Sequence, residues 1–163
     1  KKVCKLSKGM LSMLTIIIAL ASEEEYTFLD EPVAGLDVVA RDMFYKLLLR
    51  EYTKSGRTFV ISTHIIEEAA DIFEEVIIVN QGNILLKENT QELLDRAVHV
   101  SGKAEDVTAS IEGLKCCRKE LIGRSMGATV MLRPGEKIKE NASVSVQKLN
   151  LEKLFVALCG EEV

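Results

Sequence analysis

Over residues 1–96, short unbroken apolar runs alternate with longer stretches of helical periodicity, and few folds accommodate that pattern. A helix is predicted from Leu11 to Ala21 and a strand from Tyr26 to Leu29, followed by a turn through Pro32 and Gly35 to Leu36. The spacing of Phe44, Leu47 and Leu48 predicts a second helix from Val38 to Lys54, capped by Asp37 and stopped by Ser55-Gly56. The β-branched and aromatic run Thr58 to Ser62 predicts a strand, Ile65 to Phe73 a short helix, and Val76 to Val79 a strand. That strand turns at Gln81-Gly82-Asn83 into Ile84 to Leu86 as a hairpin. Strands apolar at successive positions suit burial on both faces, so the expected fold class is α/β with a mainly parallel sheet.

From Val98 the pattern changes. Short strands are expected at Val98 to Ser101, Cys116 to Leu121 and Thr129 to Arg133, with helices at Glu105 to Glu112 and Leu151 to Leu158. A surface loop runs from Pro134-Gly135 to Ser143. Residues 97–163 thus read as a small α+β C-terminal extension of the first domain, 1–96.

Composition narrows the function classes. A net charge of -4 and a pI near 5.4 supply no basic field, so no nucleic acid partner is expected, and no dense Lys/Arg run suggests a membrane tether. Met10 to Ala21 is apolar but shorter than the ~20 residues a bilayer crossing requires. Its small residues run into Glu23, Glu24 and Glu25 rather than a cleavage site, so a cytoplasmic protein is expected. Cys4, Cys116, Cys117 and Cys159 show neither metal-ligand spacing nor a disulfide framework, and reduced thiols are expected.

Four short elements carry the chemistry. Asp30 and Glu31 stand where a buried strand leaves the sheet, the edge at which parallel sheets bind ligands. Such a pair suits metal-assisted phosphate chemistry, one carboxylate holding a divalent ion and the next orienting water. Taken alone, it better suits a strand ended by solvated acids, since Asp and Glu commonly follow strands. Upstream, Leu6-Ser7-Lys8-Gly9-Met10 opens a helix with Ser7 as N-cap and Gly9 allowing close backbone approach to an anion, or simply an ordinary capped helix start. Downstream come Ala34-Gly35-Leu36-Asp37 and, ending the next strand, Ser62-Thr63-His64.

In this order the elements resemble the second half of an ABC ATPase: its signature at Leu6 to Met10, Walker B at Tyr26 to Glu31, D-loop at Ala34 to Asp37 and switch histidine at His64. The resemblance implies a partial P-loop NTPase domain of the ABC type with ATP and Mg²⁺ as cofactors. It implies that Asp30 binds Mg²⁺, Glu31 polarises the attacking water and His64 contacts the γ-phosphate. Ser7 and Gly9 would act on ATP held by a second ATPase subunit in a head-to-tail dimer, with Asp37 bridging the two. An integral-membrane permease would be the other partner, placing the protein in the cytoplasm, peripheral to the membrane.

Lys8 and Met10 depart from the family's LSGGQ, though Ser7 and Gly9 remain. The greater departure is that the sequence contains no G-x-x-x-x-G-K-S/T loop to cradle phosphates. Gly56-Arg57-Thr58 is the nearest imitation and lacks the upstream glycine, Glu51 standing there. The chain is therefore expected to be a piece of an ABC ATPase subunit, inert alone, with apolar sheet surface left open. The competing expectation is a non-catalytic interaction or regulatory module derived from such an ATPase. A third, a soluble ABC-type ATPase of translation or chromosome maintenance, lacks its usual second cassette, coiled coil or basic segments. The extension loosely resembles that of exporter ATPases for drug efflux or lantibiotic immunity. Phe155, Leu158 and His99 are expected to be ordinary packing residues.

Overall fold

The computed structural model describes residues 3–67, 70–139 and 141–160. The chain divides into two compact units, Lys1–Glu68 and Ala69–Val163.

In the first unit, helix α1 spans Lys8–Ala21 and begins where the Ser7 side chain accepts a hydrogen bond from the Met10 amide at 3.3 Å. Ile16 and Leu20, four apart and so on one face, are its buried residues. Strand β1 (Tyr26–Asp30) and strand β2 (Thr58–Ser62) pair in parallel, Tyr26 opposite Thr58 and Asp30 opposite Ser62. Between them helix α2 (Val38–Ser55) starts at Asp37, whose Oδ1 accepts from the Ala40 amide at 2.8 Å. It ends at Gly56, whose positive φ of 65° lets its amide turn back to the Tyr52 carbonyl at 2.8 Å. Phe44, Tyr45 and Leu48 are its buried side chains, with the two rings 5.0 Å apart.

The pleat of β1 sends Thr27 and Leu29 inward and Tyr26 and Phe28 outward. Tyr26 is 59% exposed and Phe28 73%, and Val60, opposite Phe28 on β2, is 42% exposed. The apolar face expected to stand open is therefore present. Arg57 is buried, donates to the Leu20 carbonyl at 3.0 Å and lies 5.1 Å from the centre of the Phe59 ring. Gly56-Arg57-Thr58 is thus a helix cap leading into a strand, and its arginine is spent on internal contacts.

The helix expected from Ile65 to Phe73 does not form: its described residues are turn and irregular, and Glu68 and Ala69 lie outside the described residues. Thr63 Oγ1 accepts from the Ile65 amide at 3.1 Å, as an N-cap would, but the adjacent β-branched Ile65 and Ile66 that follow disfavour continuing as a helix.

The second unit opens with the expected hairpin, β3 (Glu75–Asn80) against β4 (Asn83–Asn89). It belongs to this compact unit, although the sequence places it with residues 1–96. Helix α3 (Thr90–Arg96) follows, unforeseen because its seven residues give no measurable periodicity; Asn89 Oδ1 caps it by accepting from the Gln91 and Glu92 amides.

Next come strand β5 (Ala97–Lys103), helix α4 (Ala104–Ser110), strands β6 (Lys115–Ile122) and β7 (Ser125–Met131), strand β8 (Val144–Lys148) and helix α5 (Leu151–Cys159). The strands form one antiparallel sheet in the order β6-β7-β5-β8. Strand β7 starts and ends earlier than expected because Gly123 makes a tight turn directly after β6. Strand β8 escaped notice because Val144 and Val146 alternate within a polar stretch.

Val98, Val100, Ala128 and Val130 cluster with Val107 and Ile111 of the α4 region on one sheet face. On the other, α5 buries Leu151, Leu154 and Ala157. Between Cys116 and Arg118 the register slips by one, a β-bulge at Cys117. Cys116 therefore packs towards the α4 cluster while Arg118 reaches α5, donating to the Val156 carbonyl at 3.1 Å. Phe155 and Leu158, expected as core contacts, are half-buried. Cys116, Cys117 and Cys159 are unbridged and half-buried rather than buried; the side chain of Cys4 lies outside the described residues.

Candidate functional site

Because β1 and β2 are parallel and in register, their carboxyl ends lie side by side, delivering Asp30, Glu31, Ser62, Thr63 and His64 to one edge. Asp30 Oδ1 accepts a hydrogen bond from the Ser62 hydroxyl. The chain then turns sharply at Glu31, whose φ of 44° is a left-handed conformation uncommon outside glycine, and its amide donates to the Ser62 carbonyl at 2.9 Å. Such backbone costs of order 1 kcal/mol and concentrates at working positions.

The turn aims the Glu31 carboxylate at His64. Oε1 accepts from the His64 amide at 3.1 Å and pairs with the ring Nδ1 at 2.7 Å, while Oε2 accepts weakly from Thr63 Oγ1 at 3.5 Å. The carboxylate at Nδ1 fixes the orientation of the imidazole ring and leaves Nε2 open to a ligand. Glu31 is 36% exposed and His64 76%, so the pair faces outward from the strand ends.

The turn beyond the carboxylates is closed by the Ala34 amide on the Glu31 carbonyl and the Leu36 amide on the Val33 carbonyl, each at 3.1 Å. It delivers Asp37 to the start of α2. Gly35 within it, at φ 79°, meets the start of α1: a Cβ added at Gly9 would stand 3.1 Å from the Gly35 carbonyl oxygen. The structure thus brings together Asp30 with Ser62, Glu31 with His64, and the Ser7-Gly9 turn with the turn leading to Asp37. The hydroxyls of Ser62 and Thr63 as carboxylate partners were missed, although the equal lengths of the two strands carried that signal. His99 stands apart, in the second unit, packed so closely on Gly127 that a Cβ there would be 2.9 Å from its Cε1.

Residues 4–70 match a family model described as "AAA domain, putative AbiEii toxin, Type IV TA system". The spermidine/putrescine import ATP-binding protein of Mycoplasma genitalium is 36% identical over 91 residues, which are 56% of this chain and 16% of the relative. The Nod factor export ATP-binding protein I of Rhizobium etli is 26% identical over 171 aligned residues, 99% of this chain and 54% of the relative. Among solved structures, an ATP-binding subunit of an ABC transporter superposes with a TM-score of 0.52 at 25% identity, over 57% of this chain and 38% of that one. By sequence and fold, the chain resembles ABC transporter ATP-binding subunits. A second structure of that kind, a dimeric bacterial ABC transporter cassette, gives a TM-score of 0.51 at 28% identity over 55% of this chain and 38% of the cassette. An energy-coupling factor transporter ATP-binding protein of Bacillus cereus is 32% identical over 112 residues, 66% of this chain and 37% of its own length. The chain spans between 16% and 54% of the length of these three curated ABC transporter proteins.

Proposed function

We propose that this chain is part of the ATP-hydrolysing subunit of an ABC transporter and supplies the carboxylate and switch-histidine side of its nucleotide site. The supporting observation is the Glu31–His64 pair at 2.7 Å beside the Asp30–Ser62 pair, on the carboxyl ends of two parallel strands. Residues 1–96 form the ATPase portion and residues 97–163 an extension. The Nod factor export protein aligns with nearly the whole chain and the spermidine/putrescine import protein with 91 residues, in keeping with a shared portion and a more restricted one.

Asp30 and Ser62 offer hard oxygen donors of the kind that hold Mg²⁺, which when bound neutralises charge on phosphate oxygens. Glu31 accepts hydrogen-bond protons on both oxygens and orients a water for attack on the terminal phosphate. Held by Glu31 at Nδ1, His64 presents Nε2 to that phosphate. Ser7 and Gly9 act on nucleotide carried by a second subunit packed head to tail, and Asp37 bridges to that subunit. The second partner is an integral-membrane permease, which keeps the subunit at the cytoplasmic membrane surface; no described helix is long and apolar enough to cross it.

The alternative is a non-catalytic interaction or regulatory module derived from such a subunit. Mg²⁺-dependent ATP turnover decides between the two, measured on the 163-residue chain and on the product of its complete gene, each beside a Glu31→Gln variant. The ATPase reading expects turnover by the gene product, a loss of ~10²-fold or more in the variant, and no turnover by the chain alone. A gene product that binds ATP without turnover, or a variant with undiminished rate, overturns it.

A further inference from the structure

The turn between β1 and α2 crosses the first turn of α1 at two glycines, and one side chain lies over the crossing. Besides the close approach of Gly9 to the Gly35 carbonyl, a Cβ at Gly35 would stand 3.6, 3.7 and 3.8 Å from Cδ, Cε and Cγ of Lys8. Those are ordinary van der Waals distances, so the methylene stem of Lys8 lies along the turn where Gly35 offers no side chain of its own. The charge of Lys8 does nothing for the helix. It sits at the first position of α1, whose exposed amides carry partial positive charge, and the first turn holds no acidic residue. Stem packing and head charge separate in long cationic side chains, and here the stem makes the contact.

We infer that Lys8 is a positioning residue: its aliphatic stem clamps the Ala34-Gly35-Leu36 turn against α1, making the start of α1 and the approach to Asp37 one mechanical element. A load on Ser7 and Gly9 is then transmitted to Asp37 and, through the Ala34 amide on the Glu31 carbonyl, to the carboxylate turn. The consequence for turnover rests on the proposed ATPase function; the clamp itself does not.

Amide hydrogen exchange of the full chain, read by NMR, tests the clamp with Lys8→Gly, which removes stem and charge, and Lys8→Met, which keeps a stem without charge. The expected result is exchange of the Ala34 and Leu36 amides roughly fivefold faster in Lys8→Gly, with the β1 and β2 amides unchanged and Lys8→Met like the wild type. Unchanged Ala34 and Leu36 amides overturn the clamp, as does acceleration spread equally over β1 and β2. Lys8→Met behaving like Lys8→Gly overturns it too, since charge would then be responsible. In the gene product, Lys8→Met, which keeps the stem, is expected to keep the wild-type kcat and KM. If no form turns over, the ATPase reading fails while the exchange result stands.

Discussion

The two units treat their sheets differently. The four-stranded sheet of the second unit has α4 on one face and α5 on the other, and its inward residues Val98, Val100, Ala128 and Val130 are all buried. The parallel pair of the first unit buries Thr27 and Leu29 on one face and leaves Tyr26, Phe28 and Val60 open on the other. Aromatic residues at outward positions are what a strand carries when a further layer covers it, and the described residues supply no such layer. The four-stranded sheet therefore buries the apolar residues that face its helices, although Ile77, Val79 and Ile84 of the β3–β4 hairpin and Leu121 and Ile122 of β6 stand exposed in the same unit. The first unit instead pairs an incomplete burial pattern on its parallel strands with the polar edge that bears Asp30, Glu31 and His64.

The contrast breaks most readily at a pair of substitutions. Leu154→Ala empties a fully buried position of α5 and is expected to cost about 2–5 kcal/mol in denaturant unfolding. Phe28→Ser, at a position 73% exposed, is expected to change stability by no more than ~0.5 kcal/mol. It should instead reduce self-association in sedimentation velocity. Comparable costs at the two positions would mean that β1 is covered on both faces in solution.

A smaller effect is expected at Gly127→Ala, where the new methyl would meet the His99 ring at 2.9 Å and force it off the sheet. A loss of about 1–3 kcal/mol in thermal or denaturant unfolding follows if this face is as tightly packed as the other. His99→Ala in the same background should recover part of it.

The smallest effect belongs to Asp95, whose carboxyl is held below the ordinary range by a hydrogen bond from Lys148 at 2.8 Å, helped by Gln91. A carboxyl lowered by folding stabilises the fold above its unfolded-state pKa, and that stabilisation is lost as pH falls through the folded value. The stability difference between wild type and Asp95→Asn should therefore be present at neutral pH and vanish in acid. A difference independent of pH would assign it to packing.

Much of this was legible in the sequence wherever local chemistry decides. Asp37 and Ser7 cap their helices as their side chains predict, Gly56 stops α2, and the run Thr58 to Ser62 forms a strand with those bounds. Where a few residues are governed by distant partners, local signals fell short. Helix α3 holds its place through Asp95 on Lys148 and Arg96 on Glu88, and β8 by pairing with β5. The order of the site elements could be read, but not the left-handed backbone at Glu31, because nothing in a glutamate announces it. Nor could the packing of Lys8 on Gly35 be foreseen, since it joins residues far apart in the chain.

The bulge at Cys117 also sets how this strand can tolerate insertion and deletion. In a regular strand two positions apart share a face, yet Cys116 and Arg118 serve opposite faces because one residue is looped out between them. Deleting Cys117 would leave Cys116 opposite Val130 and Arg118 opposite Thr129 as they now stand, since neighbours in a regular strand already face opposite ways. Removing one residue from the regular run between Arg118 and Ile122 would instead turn the residues beyond it to the other face. The strand can therefore lose a residue at the bulge while keeping both the Cys116 packing and the Arg118 tether to the Val156 carbonyl.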